Sequence, residues 1–277
     1  MKKLLLILFI FIAVTSAAFA VTGDVSVEGR LDATGNSSAA NFFGNGATLT
    51  SLGILTGITV LTTASSSPYT VPTGVTDIEV ELIGGGGGGG GSTSLTTGSS
   101  AAVGGGGGGG AYTRKRIATS PTTQYTFSVG AGGTGESAAA GYVGGQTQFS
   151  GTTYTANGGS GGAIMTPAAT ILTVAGGAGG AAGATGDVNI PGNAGDTGYR
   201  MSGTLGISGT GGASLYGSQS PSVYVAVINT GTTGRSGALY GSGGAGGTSQ
   251  RSAGGGGPWP AAGGPGANGV IIIHEYK

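Results

Sequence analysis

The one histidine of the chain, His274, lies inside an apolar run, Gly269-Val-Ile-Ile-Ile-His-Glu-Tyr276. With no cysteine and no second imidazole, it cannot complete most metal sites or a Cys-His dyad. Beyond Lys3 the only lysines are Lys115 and Lys277, so no G-x-x-x-x-G-K-[ST] loop exists to cradle a phosphate. The glycine runs also lack the strand-turn-helix setting of a dinucleotide fingerprint. The ten carboxylates are scattered. Glu79 and Glu81 share a strand face that reads as a solvated surface, and Gly186-Asp187 and Gly195-Asp196 lack the nonapeptide spacing of calcium repeats and read as turns. Arg114-Lys115-Arg116 alternates along a strand and is placed to offset the acids of 77–81. The expectation is a protein with no catalytic residues, no metal and no cofactor, and not an enzyme.

Recognition is the remaining chemistry. Pro258-Trp259-Pro260 holds the only Trp in a glycine-rich turn, and its flanking prolines favour exposure. Tyr216, Tyr224 and Tyr240 fall in the least regular part of the chain, with Arg235 nearby. Loop Tyr and Trp serve as binding anchors for sugars and proteins. The same rings could equally plug gaps in packing. Trp259, Tyr216, Tyr224, Tyr240 and Arg235 are the candidate binding residues.

These side chains need elements to hold them. Lys2 and Lys3, the apolar run Leu4 to Val14 and Ala18-Phe-Ala20 have the form of a signal peptide over 1–20, so the expected mature chain starts at Val21. Eleven apolar residues fall short of the roughly 20 that a membrane helix requires. No later segment is apolar enough, so no membrane span is expected in the mature chain. Without Lys2 and Lys3 the charge balance is 8 basic against 10 acidic residues, or −2. That leaves no footprint for nucleic acid or anionic lipid. The expected location is secreted, extracellular or at a cell surface.

Residues 21–62 carry few large apolar groups and cannot bury a core alone. They are either a stalk that gains burial by winding with copies of itself or a spacer. From residue 63 to 277 strand patterns recur. Asp77 to Ile83 alternates cleanly, 111–119 and 123–129 follow, 146–150 and 152–156 suggest a hairpin across Gly151, and 269–276 has the continuous apolar character of a central strand. No segment has helical periodicity.

Glycine makes up 67 of 277 residues. Eight are consecutive at 84–91 and seven at 104–110, and later ones fall every third residue, as at Gly177, Gly180, Gly183 and Gly186, then at Gly203, Gly206, Gly209 and Gly212. Period three matches an extended helix of three residues per turn, which makes no internal hydrogen bonds. Buried, its amides must pair with neighbouring segments. Ordering each glycine costs roughly 0.5–1 kcal/mol more than alanine, and each hydrogen bond returns a net 0.5–1.5 kcal/mol, roughly. The balance is close, so an array needs a frame of strands. The expected fold class is all-β or irregular: a bundle of polyglycine II helices framed by a β-sheet or sandwich, with a short N-terminal β stalk.

Two resemblances add to this. Phe43-Gly-Asn-Gly-Ala-Thr-Leu-Thr-Ser-Leu52 resembles the shaft segments of phage and bacterial fibres, which implies a homotrimer through the stalk. Residues 69–83 leading into the first glycine run, Gly104 to Gly110 before Ala-Tyr-Thr-Arg-Lys, Tyr125-Thr-Phe-Ser-Val-Gly-Ala-Gly-Gly133 and the closing strand resemble the glycine-rich domain of phage tail-fibre tips and related secreted proteins. That implies a polyglycine II core with recognition in variable loops. A signal peptide has no use in a virion protein, so an exported microbial surface protein fits better. The expected function is an adhesin-like or fibre-tip protein whose loops bind a cell-surface glycan or protein. The alternative is a structural subunit of an extracellular filament or matrix. Ice binding is a third idea, but the triplets lack a regular Thr ridge.

Overall fold

The computed structural model describes residues 53–63, 65, 67–95, 100–165, 172–224, 229–251 and 259–277. The sequence regions assigned to the signal peptide and to the shaft-like motif lie outside these. Among the described residues all regular structure is β.

The alternation at Asp77–Ile83 forms β3, which lies beside β16 (Val270–Tyr276) and β5 (Tyr112–Ala118), antiparallel to both. Two further strands, β1 (Leu55–Leu61) and β11 (Val188–Ile190), complete a five-stranded sheet of order β1-β16-β3-β5-β11. The segment 55–61, grouped on sequence with the stalk, is therefore the sheet's edge beside β16. Ionic pairs cross β3 and β5 diagonally: Arg114 lies 3.9 Å from Glu79 and Arg116 3.5 Å from Asp77. Lys115, on the other face, meets Asp187 at 2.6 Å.

One face of this sheet is the apolar core. Ile78, Val80, Leu82, Ile271 and Ile273 are fully buried there. Each such side chain contributes about 1.5–3 kcal/mol. Two small sheets cover them: β2 (Tyr69–Thr70) with β6 (Gln124–Tyr125), and β7 (Phe127–Ser128) with β8 (Thr147–Phe149) and β9 (Tyr154–Ala156). Phe149 stacks on Tyr125 at 5.1 Å between ring centres and touches Tyr69. The expected hairpin across Gly151 is present, and Ser150 and Gly151 turn the chain with φ of 57° and 65°.

The glycine runs leave this frame as extended helices. Amides of Gly84, Gly87 and Gly90 donate to the carbonyls of 111, 108 and 105; those of Gly85, Gly88 and Gly91 to 145, 142 and 139; those of Gly86, Gly89 and Ser92 to 267, 264 and 261. Every third amide thus serves the same neighbour, the signature of a three-fold helix. Three other segments, 133, 159–162 and 244–247, donate back to carbonyls of the first run. The 104–110 run is surrounded in the same manner. This is a polyglycine II array, and it includes a third fully buried segment, 241–247, in which Ser242 and Ala245 replace glycine. In the outer helix 175–180 the pattern becomes exposed, intermediate, buried, with alanines outward and Gly177 and Gly180 inward.

The array has two ends. Gly84 and Gly110 adjoin the five-stranded sheet, which is the framework end. Gly91 and Gly104 lie at the far, distal end. There two small sheets form: β4 (Ser100–Val103) with β15 (Thr248–Arg251) and β14 (Thr230–Thr232), and β10 (Leu172–Val174) with β12 (Gly198–Ser202) and β13 (Leu205–Ile207). Not every triplet glycine joins the array. Gly209 and Gly212 do, whereas Gly203 and Gly206 belong to the β12–β13 hairpin, where Gly206 leaves room for Val103. Gly186 is in the turn before β11, braced by the Asn189 side chain.

Candidate functional site

At the framework end, β3 carries Glu81, which the sequence reading assigned to a solvated face. It is buried, at 8 % exposure. Tyr112 from β5 donates to its Oε2 at 3.1 Å, Tyr216 from the 214–217 loop donates to the same oxygen, and His274 Nε2 lies 3.1 Å from Oε1. Burial raises the Tyr112 phenol above its usual range, with the Glu81 charge adding to the effect. Tyr216 is pushed up to about 12, by burial first and then by its bond to Glu81. Both phenols are therefore neutral donors at ordinary pH. The cluster clamps the 214–217 loop onto the sheet. Tyr69 and Thr59 hold Glu275 similarly from the other face.

The structure divides the five candidate binding residues. Tyr216 and Tyr240 are neighbours at the framework end, where Ser214 Oγ donates to the Tyr240 carbonyl. Arg235 is exposed along the side of the array, its carbonyl accepting from Ala245. Tyr224 and Trp259 lie at the distal end. Tyr224 bridges Ile207 and is 62 % exposed. Trp259 is half-buried, its indole N–H buried without a partner among the described residues.

Beside Tyr224 the distal end has a depression of about 420 Å³. Asp196 and Thr197 line it from the end of one glycine helix, Tyr199 and Ile207 from the β12–β13 hairpin, and Thr210 and Ser222 from adjoining segments. Tyr199 is 50 % exposed, and Met201 and Leu205 on the same hairpin are exposed as well. Sequence reasoning missed these residues because Gly203 and Gly206 fit the period-three pattern. The signal it passed over is the strand-turn-strand run Tyr199-Arg-Met-Ser-Gly-Thr-Leu-Gly-Ile207.

Opposite Tyr199, Arg200 points into the layer between the two distal sheets. It is fully buried, and among the described residues its side chain makes one hydrogen bond, from Nε to the Ser202 carbonyl at 3.0 Å. Desolvation lowers the pKa of its guanidinium.

The glycine-rich domain family model matches residues 62–276, nearly the whole described span. The chain belongs to that family. No curated protein matches it.

Proposed function

We propose that the protein is an exported, non-enzymatic adhesin-like or fibre-tip protein, held by its N-terminal region, whose distal loops bind a cell-surface molecule. The observation that carries this reading is the polarity of the array. The chain enters at the framework end through β1, while exposed Tyr199, Met201, Leu205 and Tyr224 gather at the opposite end. A hydrogen-bonded glycine bundle is a rigid spacer, and a rigid scaffold lowers the ordering cost of binding. The resemblance to tail-fibre tips supports the same role. The signal-peptide pattern over 1–20 supports export.

The test is binding of the labelled mature protein to candidate cells. Tyr224→Ala and Trp259→Ala should each weaken binding about tenfold or more, as expected for anchor residues, whereas Tyr240→Ala at the framework end should leave it unchanged. Loss of binding with Tyr240→Ala alone would sink the distal assignment.

A second reading, a structural subunit of a filament or matrix, is favoured by the edge strand β1. Ile58 and Val60 project from one face of it and are exposed, and exposed apolar edge strands invite pairing. Open-ended growth in sedimentation over a concentration series, abolished by Ile58→Ser with Val60→Ser, would support it. A fixed mass at all concentrations would remove it.

A further inference from the structure

We infer that the distal depression takes a neutral sugar ring of a surface glycan; this rests on the cell-surface binding reading and names its ligand class. The depression is built from the array rather than from free loops. The Asp196 carbonyl accepts from Gly106 at 3.1 Å, and its amide donates to the Thr210 carbonyl at 2.9 Å. The backbones that present both side chains are therefore pinned within the bundle, and the cost of ordering them on binding is already met.

The side chains match a polyhydroxylated ring. Thr210 Oγ1 donates to Asp196 Oδ2, and no described residue bonds Oδ1. An ionised carboxylate is a strong acceptor for hydroxyl protons, and Thr and Ser hydroxyls both donate and accept. Half-exposed Tyr199 offers an aromatic surface for the C–H face of a pyranose, with a polar tip for hydrogen bonding. The volume of about 420 Å³ lies in the range of small-molecule sites, roughly 300–1,000 Å³.

Charge narrows the class. Among the described residues no Lys or Arg lines the depression, and Arg200 on the adjacent position is buried on the opposite face of its strand. The lone Asp196 repels phosphate, sulfate and carboxylate substituents, so discrimination against acidic sugars is built in by repulsion.

The experiment titrates the mature chain with methyl glycosides of mannose, glucose, galactose and N-acetylglucosamine. N-acetylneuraminic acid and inorganic phosphate run in parallel, and the ring-proton signals of Tyr199 are followed by NMR. At least one neutral glycoside should bind and shift those signals. Asp196→Asn and Tyr199→Ala should each weaken it tenfold or more, and Glu136→Gln, a half-buried carboxylate that does not line the depression, should change nothing. Unaltered slow exchange of the 104–110 amides shows that each variant is folded. The inference is overturned if no neutral glycoside binds, if binding survives both variants, or if the acidic probes bind more tightly. Native cell binding that persists in Asp196→Asn and Tyr199→Ala would sink the sugar site and leave the adhesin reading standing. Absence of native cell binding sinks the adhesin reading instead.

Discussion

A methyl group added at Gly86 would land on the carbonyl oxygen of Ser242, and one at Gly107 on that of Gly87. Both obstacles are backbone, hydrogen-bonded into the array, and neither can swing aside. Gly86→Ala should therefore destabilise the domain by about 3 kcal/mol or more, beyond ordinary overpacking. Ala178→Ser, outward on the 175–180 helix, should stay within about 0.5 kcal/mol. Urea denaturation of the two variants measures the contrast. Arg200 makes the opposite case. A buried guanidinium whose terminal nitrogens have no partner among the described residues costs stability, so Arg200→Met should raise the free energy of unfolding by about 1 kcal/mol or more. The tyrosine clamp on Glu81 gives a pH signature. Burial and the bond to Glu81 push the folded phenol of Tyr216 up to about 12, above its usual value of 10.0. Between those values the unfolded chain has lost the proton that the folded chain keeps. Stability from this group is complete below pH 10 and falls as pH rises toward 12. Tyr216→Phe should flatten that decline in alkaline denaturation curves. The burial of Glu81 was not legible beforehand: alternation places it on the face opposite Ile78 and Val80, but Tyr216, which covers it, lies 135 positions away.

Among the elements, the strands were the most legible. Asp77–Ile83 and Val270–Tyr276 follow from period two and an apolar run, because a half-buried strand must alternate and a central one need not. The oligoglycine tracts were legible for the same local reason, since side-chain-free backbone has few other ways to satisfy its amides when buried. The 241–247 segment was legible only in part. Gly243 and Gly246 keep the three-residue spacing, but Ser242 and Ala245 look like any loop, and only the position beside the 84–91 and 104–110 helices makes the whole segment interior. Hydrogen exchange separates these layers. Amides of 84–91, 104–110 and 241–247 should exchange together at the slowest, globally limited rate, and those of the outer 175–180 helix sooner. Exchange of 241–247 at loop rates would contradict its place in the core.

At the scale of the whole molecule, the two ends differ in what holds them. The framework end has the apolar core of the five-stranded sheet, and the distal end has small sheets around Arg200 and the Asp196 depression. Binding variants at the distal end should therefore leave global stability nearly intact, while Phe149→Ala in the core should cost about 3–5 kcal/mol. Thermal unfolding of Tyr199→Ala and Phe149→Ala side by side checks this division.

By itself the sequence determined the material of the interior, the β frame and the absence of helical pattern, because each depends on spacing over a few residues. Tertiary structure alone decided which glycine triplets join the array, which tyrosines share an end and where Asp196 meets Tyr199. Those facts depend on which helix lies beside which, and a backbone without side chains accepts a neighbour on every side. The choice among them falls to the turns and the frame, which no local spacing records.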